Sequence, residues 1–160
     1  MALKTCLEMM PSDLPQTSLS YAQSAREGWL GVPYRHQGRT KRGVDCLGLL
    51  VCSARDFGLT VVDNLAYGRK PCHETMKEGL LDHMVKINRA DLRPGDVLYI
   101  RWPNDPHPLH LALVTSFNDS GVPIIMHADC DKQRKVVEIT LPLNWWPSVS
   151  MCLRWKSWAG

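Results

Sequence analysis

The sequence predicts an α+β fold in which N-terminal helices pack on a C-terminal antiparallel β-sheet. Two observations predict this class. Apolar residues recur at helical spacing in the first half, whereas the second half has short β-prone runs separated by turn residues. Helices followed by consecutive strands are typical of α+β domains. With 160 residues, of which 44% are apolar, we expect one domain that spans residues 1–160.

Three helices are predicted in the first half of the chain. Residues 17–31 begin with polar N-cap candidates and end at a glycine. From Asp45 onward, apolar side chains fall on one face of a 3.6-residue repeat until Gly58 ends the pattern. A third, more amphipathic helix is expected over residues 71–88.

Five strands are predicted in the second half. A Pro-Gly turn leads into the first strand at about Asp96. The others are short β-prone runs bounded by turn residues, at residues 110–116, 122–128, 134–140 and 149–155. We expect the Trp-rich end, residues 144–158, to pack over a face of this sheet, and a sugar-stacking or partner surface is the alternative.

Composition and charge exclude several classes of protein. The net charge is only +3, and the basic cluster at residues 35–43 lacks the interleaved aromatic residues of a nucleic-acid-binding surface, so we expect a solvated loop there. No apolar run is long enough to span a membrane, which predicts no membrane insertion. The first residues lack the apolar core of a signal peptide, so synthesis in the cytoplasm without an export signal is expected.

One cysteine stands where a helix start would activate it. Asp45 is a favourable N-cap, which makes Cys46 the first helical residue. The unpaired amides and the positive end of the helix dipole stabilise a thiolate, so we expect the pKa of Cys46 to be lowered. Cys52 has no such support and is expected to pack in the core.

Two histidines downstream could complete a thiol-based site. A thiolate nucleophile needs a base, normally histidine, and a third group that orients the imidazole. His110 stands at the start of one predicted strand, and His127 stands near the end of the next. If these strands form a hairpin, the two side chains lie side by side. We expect the remaining histidines to be solvated on loops or helix surfaces: His36, His73 and His83.

A zinc site is the alternative use of the same region. The six cysteines include no C-x-x-C pair, and most are expected to be reduced. His107 with His110, and His127 with Cys130, form two pairs at i and i+3 that could supply four tetrahedral ligands. A zinc site leaves the helix start at Cys46 unexplained, so we expect neither a metal nor another cofactor.

Five segments, in this order and spacing, resemble the NlpC family of papain-like bacterial cell-wall peptidases, particularly its compact phage-associated branch. They are "GVPYRHQG", "GVDCLGLL", "LRPGDVLYI", "HLALVTS" and "IIMHAD". The resemblance covers about residues 29–129 and implies a papain-like fold. It also implies a cysteine endopeptidase that cuts within the stem peptide of peptidoglycan.

The resemblance assigns roles to particular residues. Cys46 would be the nucleophile, His110 the general base and His127 the residue that orients His110. Tyr34 matches a family tyrosine beside the attacking thiolate and the oxyanion site, and the backbone amide of Cys46 would donate to the oxyanion. Asp45 matches a substrate-binding aspartate in addition to its expected role as a cap.

One position departs from the family pattern. Many members read Asp-Cys-Ser-Gly, and their aspartate and serine help to hold the free amino end of the stem peptide. This chain has Leu47 in place of the serine, and leucine cannot make that polar contact. The resemblance therefore leaves the requirement for a free amino end open.

Other functions share this machinery. An acyl-thioester intermediate can pass to water or to an amine, so a papain-like amidase or acyltransferase is an alternative. A catalytically idle structural domain, such as a virion component, is another. If the substrate is the cell wall, the protein must be delivered there by a phage, a secretion system or lysis, and a component of such machinery is a candidate partner.

Overall fold

The computed structural model describes residues 17–159, and its first element is a capped helix. Helix α1 spans Ser18–Trp29. Thr17 caps it, because its hydroxyl accepts the Ser20 N–H while the Ser20 hydroxyl accepts the Thr17 N–H. The inner face of α1 is buried through Tyr21, Ala22, Ala25 and Trp29.

Helix α2 carries the candidate nucleophile at its first position. It spans Cys46–Asp56, and the Asp45 carboxylate caps it by accepting the Gly48 N–H at 2.7 Å. Helix α2 packs against α1, where the Tyr21 hydroxyl lies 3.0 Å from that of Ser53. The two short strands before α2, β1 (Arg39–Thr40) and β2 (Gly43–Val44), form an antiparallel ribbon.

The third predicted helix is shorter than expected. Helix α3 spans His73–His83, and the chain then enters strand β3, Met84–Ile87. The prediction of helix through residue 88 is therefore wrong at its end. The backbone of β3 pairs with the last strand of the sheet, with Met84 opposite Trp155, and this tertiary pairing outweighs the local helical pattern.

The five strands expected from the sequence are present. Their bounds are Val97–Arg101 (β4), Leu109–Phe117 (β5), Pro123–Ala128 (β6), Val136–Thr140 (β7) and Val149–Trp155 (β8). Together with β3, which is added at one edge, they form a six-stranded antiparallel sheet in the order β3-β8-β4-β5-β6-β7. The predicted α+β class with helices and an antiparallel sheet is confirmed.

Both faces of the sheet are covered. The helices pack on one face, where residues such as Leu49, Tyr99 and Leu113 form the larger hydrophobic cluster. On the other face, a smaller cluster is covered by Trp145 and Trp146 of the 3₁₀ helix Leu143–Ser148. Trp145 and Trp146 thus pack over the sheet, as the sequence predicts for the Trp-rich end, whereas residues 149–155 of that end lie within the sheet as its last strand.

Within residues 17–159, no helix is both long and apolar enough to cross a membrane. The single-domain assignment for residues 1–160 stays a prediction.

Candidate active site

The Cys46 thiol opens into a small cavity of about 50 Å³ at the start of α2. Cys46 is half-buried there. His110 at the start of β5 lines the same cavity, so the helix start and the sheet supply its two sides. Tyr34, Asp45 and Cys130 also line it. The structure thus brings four of the five predicted site residues into one cavity.

His127, the fifth predicted site residue, bonds directly to His110. The distance between His110 Nε2 and His127 Nδ1 is 2.9 Å, and the ring planes are nearly perpendicular at 88°. Strands β5 and β6 form the expected hairpin, with Leu113 opposite Met126. The pairing of the two histidines therefore follows from the hairpin that the sequence predicts.

Two tryptophans hold the histidine rings in place. Trp102 stacks on His110 with 5.8 Å between ring centroids and 24° between planes. Trp145 meets the rings of His110 and His127 edge-on, at 6.3 Å and 5.5 Å. No pattern in the sequence indicated a role for either tryptophan at this site. The two tryptophans come from distant segments of the chain. Trp102 directly follows the strand that pairs with the strand of His110, so its place near His110 follows from the predicted sheet, whereas no such pattern places Trp145.

The histidine pair has one arrangement that leaves a free base. If His110 Nε2–H donates to His127 Nδ1, then Nδ1 of His110 is unprotonated and can accept a proton. Burial lowers the pKa of His127, which keeps this acceptor neutral. Burial and the neighbouring His127 lower the pKa of His110 to about 3, so it too is neutral near pH 7.

The expectation of a lowered thiol pKa at Cys46 is wrong. Burial and the Asp45 carboxylate raise the pKa of Cys46 to about 12, and the backbone N–H groups of Leu111 and Leu47 offset only part of this rise. Desolvation thus outweighs the helix start. The resting pair is a neutral thiol and a neutral imidazole.

The Asp45 carboxylate is held by four donors. Oδ1 accepts the Gly48 N–H and Arg39 Nη1, while Oδ2 accepts the Gln37 N–H and the Tyr67 hydroxyl. Asp45 is 4% exposed. Asp45 therefore caps α2 as expected, and each of its carboxylate oxygens already accepts two hydrogen bonds.

Arg39 and Tyr67 also belong to the site, although no sequence pattern indicated them. Arg39 was expected in a solvated loop, yet it bonds Asp63, Asp45 and the Tyr67 hydroxyl, and only 15% of its side chain is exposed. This part of the loop prediction is wrong because two carboxylates pair with the guanidinium. Tyr67 lies 22 residues beyond Asp45, so no local pattern marks their contact.

Tyr34 lines the same cavity as Cys46. Its backbone is fixed by the Tyr34 N–H, which donates to Arg134 O at 2.9 Å, and by a bridge to Val44. Burial, and then the nearby Cys130 and Cys46, raise the pKa of Tyr34 to about 12. The phenol is therefore a neutral hydrogen-bond donor near pH 7.

The three histidines expected in solvent are instead partly buried. His73 stacks on Tyr99, and its Nδ1 lies 2.7 Å from the Tyr99 hydroxyl. His83 bonds the backbone of Val62 and Gly79 through its two nitrogens. His36 meets the ring of Tyr67 edge-on and lines the Cys46 cavity. The aromatic and backbone partners that bury these rings come from elsewhere in the chain.

Across the described part of the chain, no three His, Cys, Asp or Glu side chains are grouped so that they could hold a metal ion. The four candidate zinc ligands are not assembled into such a site, and two of them, His110 and His127, bond each other.

Comparison with known proteins identifies the family. The sequence pattern of the NlpC/P60 family matches residues 31–144, which is most of the chain. The chain belongs to the NlpC/P60 family. The resemblance seen in the sequence is thereby confirmed.

One curated NlpC/P60 relative matches over much of the chain. It is the probable endopeptidase NlpC of Escherichia coli K12, which is 29% identical over 107 residues. The match covers 66% of this chain and 58% of the relative, so the two proteins share a domain rather than their whole lengths.

Solved structures of NlpC/P60 proteins share the fold. A family protein from Bacillus cereus superposes with a TM-score of 0.63 at 18% identity, covering 91% of this chain and 42% of that one. The NlpC/P60 domain of the peptidoglycan hydrolase SagA gives a TM-score of 0.52 at 15% identity, covering 88% and 98%. At these identities the likeness concerns the fold, which is the papain-like NlpC/P60 fold.

Proposed function

We propose that the protein is a cysteine endopeptidase that hydrolyses an amide bond in the stem peptide of peptidoglycan. The observation that carries this proposal is the hydrogen bond between His110 and His127 beside the cavity that His110 shares with Cys46. A thiol, a base and an orienting group are the parts that thiol-based acyl transfer requires. The substrate class is supported by the names of two relatives, an endopeptidase and a peptidoglycan hydrolase.

The first half of the reaction forms a thioester. His110 Nδ1 takes the proton from Cys46 as the sulfur attacks the scissile carbonyl carbon, and the carbonyl oxygen becomes an oxyanion. The Cys46 backbone N–H at the start of α2 and the Tyr34 hydroxyl are the proposed donors to this oxyanion. When the carbon–nitrogen bond breaks, His110 gives its proton to the leaving amine.

The second half of the reaction restores the enzyme. His110 removes a proton from water, which attacks the thioester carbon. The carbon–sulfur bond then breaks, the sulfur regains the proton through His110, and the product leaves as a carboxylic acid. His127 keeps the His110 ring in one orientation through both halves, and Trp102 and Trp145 hold the two rings.

Digestion of purified peptidoglycan, with mass analysis of the released fragments, tests the proposal. We expect fragments that end at one stem-peptide bond. Cys46→Ala should fold and be inactive, because it removes the nucleophile. Cys52→Ala and Cys130→Ala are matched controls that should keep most activity. Full activity of Cys46→Ala would contradict the mechanism.

The same assay separates the alternatives. A metal chelator should leave the rate unchanged, whereas stoichiometric zinc whose removal abolishes activity would favour a metal site. Release of an acyl group to an added amine rather than to water would identify an acyltransferase. An idle structural domain would leave peptidoglycan intact.

A wall substrate also requires a route out of the cytoplasm, for which we propose delivery by a phage, a secretion system or lysis. Fractionation of producing cells tests this part. The protein should reach the wall fraction only when the delivery machinery is present.

A further inference from the structure

Two exposed arginines lie close to Tyr34 at the rim of the Cys46 cavity. Arg69 lines this cavity together with Tyr34. Burial raises the pKa of Tyr34, and the charge of Arg69 opposes this rise, so the two side chains lie within range of a direct charge interaction. The Arg134 guanidinium lies over the Tyr34 ring, with 5.8 Å between its Cζ and the ring centroid. Nothing in the proposed mechanism uses either arginine.

Arg134 is held in this place by contacts with two residues of the cavity wall. Its Nη1 donates to the Cys130 backbone oxygen at 3.0 Å, and its own backbone oxygen accepts the Tyr34 N–H at 2.9 Å. The φ of Arg134 is +52°, a left-handed conformation that is unfavourable for arginine. Such conformations persist where the surrounding structure enforces them, and they cluster at sites that bind ligands.

Neither arginine has a carboxylate partner within residues 17–159. The ion pairs between arginine and carboxylate in this part of the chain belong to Arg26, Arg39 and Arg154. The Asp45 carboxylate in the cavity wall accepts four donors, and the Asp129 carboxylate accepts three backbone N–H groups of its own loop. The rim therefore carries two positive charges that no carboxylate of the described residues pairs with.

The chemistry of these two side chains selects an anion. A guanidinium presents five N–H donors in a planar fork that matches a carboxylate. Arg134 gives one of its side-chain donors to Cys130, and Arg69 gives none to any residue of the described chain. A carboxylate at the rim would take up the remaining donors and neutralise charge, whereas an ammonium would be repelled.

We propose that Arg69 and Arg134 bind a free carboxylate of the substrate, close to the amide bond that Cys46 attacks. This inference rests on the proposed function, because it places the two arginines beside that nucleophile. We call the pair the carboxylate site. In a peptide substrate the carboxylate comes either from an acidic side chain or from the free carboxyl end.

Binding to the inactive Cys46→Ala variant tests the carboxylate site apart from catalysis. N-acetylglutamate methylamide represents the side-chain source, N-acetylalanylalanine represents the carboxyl end, and the amide form of each is its neutral control. Nε–H signals of ¹⁵N-labelled arginine report on binding, and Arg69→Gln and Arg134→Gln identify the two signals. We expect at least one acid to shift both signals saturably, and the acid that binds more tightly identifies the source. Its amide should bind at least about threefold more weakly.

Arg42 is the internal control for this measurement. It is exposed and belongs to the same basic protein surface chemistry, but it does not line the Cys46 cavity. Its signal should not move with either acid.

Catalysis by the parent protein gives a second readout. Arg69→Gln and Arg134→Gln should each raise the KM for stem peptides with free carboxyl groups by about threefold to tenfold with little change in kcat, because they remove binding that substrate and transition state share. After the carboxyl groups of the substrate are converted to amides, the same variants should match the parent. Arg42→Gln is the matched control and should match the parent on both substrates.

Equal binding of the acids and their amides, or equal shifts of the Arg42, Arg69 and Arg134 signals, would overturn the carboxylate site. Cleavage of peptidoglycan by the parent protein would in that case leave the proposed function standing. Conversely, acid-selective shifts of Arg69 and Arg134 without any peptidoglycan cleavage would overturn the proposed function and not the carboxylate site.

Discussion

His110 and His127 share one hydrogen bond, but their losses have unequal consequences. In the proposed mechanism His110 transfers the proton, and removal of a general base costs roughly 100-fold to 10,000-fold in rate. We expect His110→Ala to be nearly inactive and His127→Ala to be less impaired. His127→Asn or His127→Gln should restore part of the rate, because an amide oxygen can still accept the imidazole N–H. The kcat of each variant on peptidoglycan decides this, and greater damage in His127→Ala would reverse the two roles.

The raised pKa of Cys46 predicts slow alkylation of its thiol near neutral pH. A thiol whose pKa is raised to about 12 remains protonated at neutral pH, so iodoacetamide should alkylate Cys46 more slowly than free cysteine near pH 7. The rate should keep rising above about pH 9, where free cysteine levels off. Mass spectrometry of Cys46 alkylation across pH measures this. Faster reaction than free cysteine near pH 7 would instead show a resting thiolate, as the helix start alone predicts.

Individual site residues could be predicted where the signal is local. Asp45 and Cys46 are adjacent in the chain, and His110 and His127 are joined by one hairpin, so their patterns are visible in the sequence. The contact between Tyr67 and Asp45 depends on how residues 59–72 cross the start of α2, and no spacing rule encodes that path. The pKa of Cys46 was predicted wrongly for a related reason, since burial is a property of the packed site.

The turn that leads into β4 depends on a glycine at Gly95. Its φ is +98°, and an added Cβ would lie 2.4 Å from the backbone oxygen of Ser18 at the start of α1. Gly95→Ala therefore combines an unfavourable backbone conformation with a clash against backbone. Gly121→Ala is the matched control, because its φ is +78° but an added Cβ meets nothing within 4 Å.

We expect Gly121→Ala to lower the free energy of unfolding by about 1 kcal/mol. Gly95→Ala should lower it by at least about 2 kcal/mol more, since α1 and β4 must separate. Urea denaturation of both variants measures the difference. Equal losses would show that the close approach to Ser18 contributes nothing.

Helices and strands were predictable where one local pattern dominated. The start of α2 has an N-cap and a clear apolar face, and β4 to β8 are β-prone runs between turns. Residues 84–87 carry both patterns, because Met84 and Leu80 fit one helical face while Val85 and Ile87 favour a strand. Only pairing with β8, about 70 residues away, decides between them.

The whole molecule should lose stability as the pH falls below about 6.5. Burial lowers the folded-state pKa values of His110, His127 and His73, so the unfolded chain binds more protons than the native protein below the ordinary histidine pKa. Stability contributed by these neutral rings is present above about pH 6.5 and is lost as the pH falls toward about 3. The pKa of Asp129 is also lowered, and its contribution is lost only below about pH 4.

Thermal unfolding measures this, with a Tm that falls from about pH 7 to about pH 5. The double variant His110→Gln, His127→Gln should show a smaller fall, because neither glutamine titrates. On the alkaline side, burial raises the pKa values of Cys46 and Tyr21 to about 12, so stability should also fall above about pH 9. An unchanged Tm between pH 5 and pH 7 would contradict the assignment of buried neutral histidines.

The contact between the Tyr67 hydroxyl and the Asp45 carboxylate has a consequence for protein engineering. Exchanging residues 59–72 for a homologous loop is one way to alter the walls of the Cys46 cavity. A donor loop without a tyrosine at this position would remove one of the four hydrogen bonds that fix the cap of α2, the helix that begins at Cys46. Grafted loops therefore need to carry Tyr67 with them, and libraries built on this fold should hold that position constant.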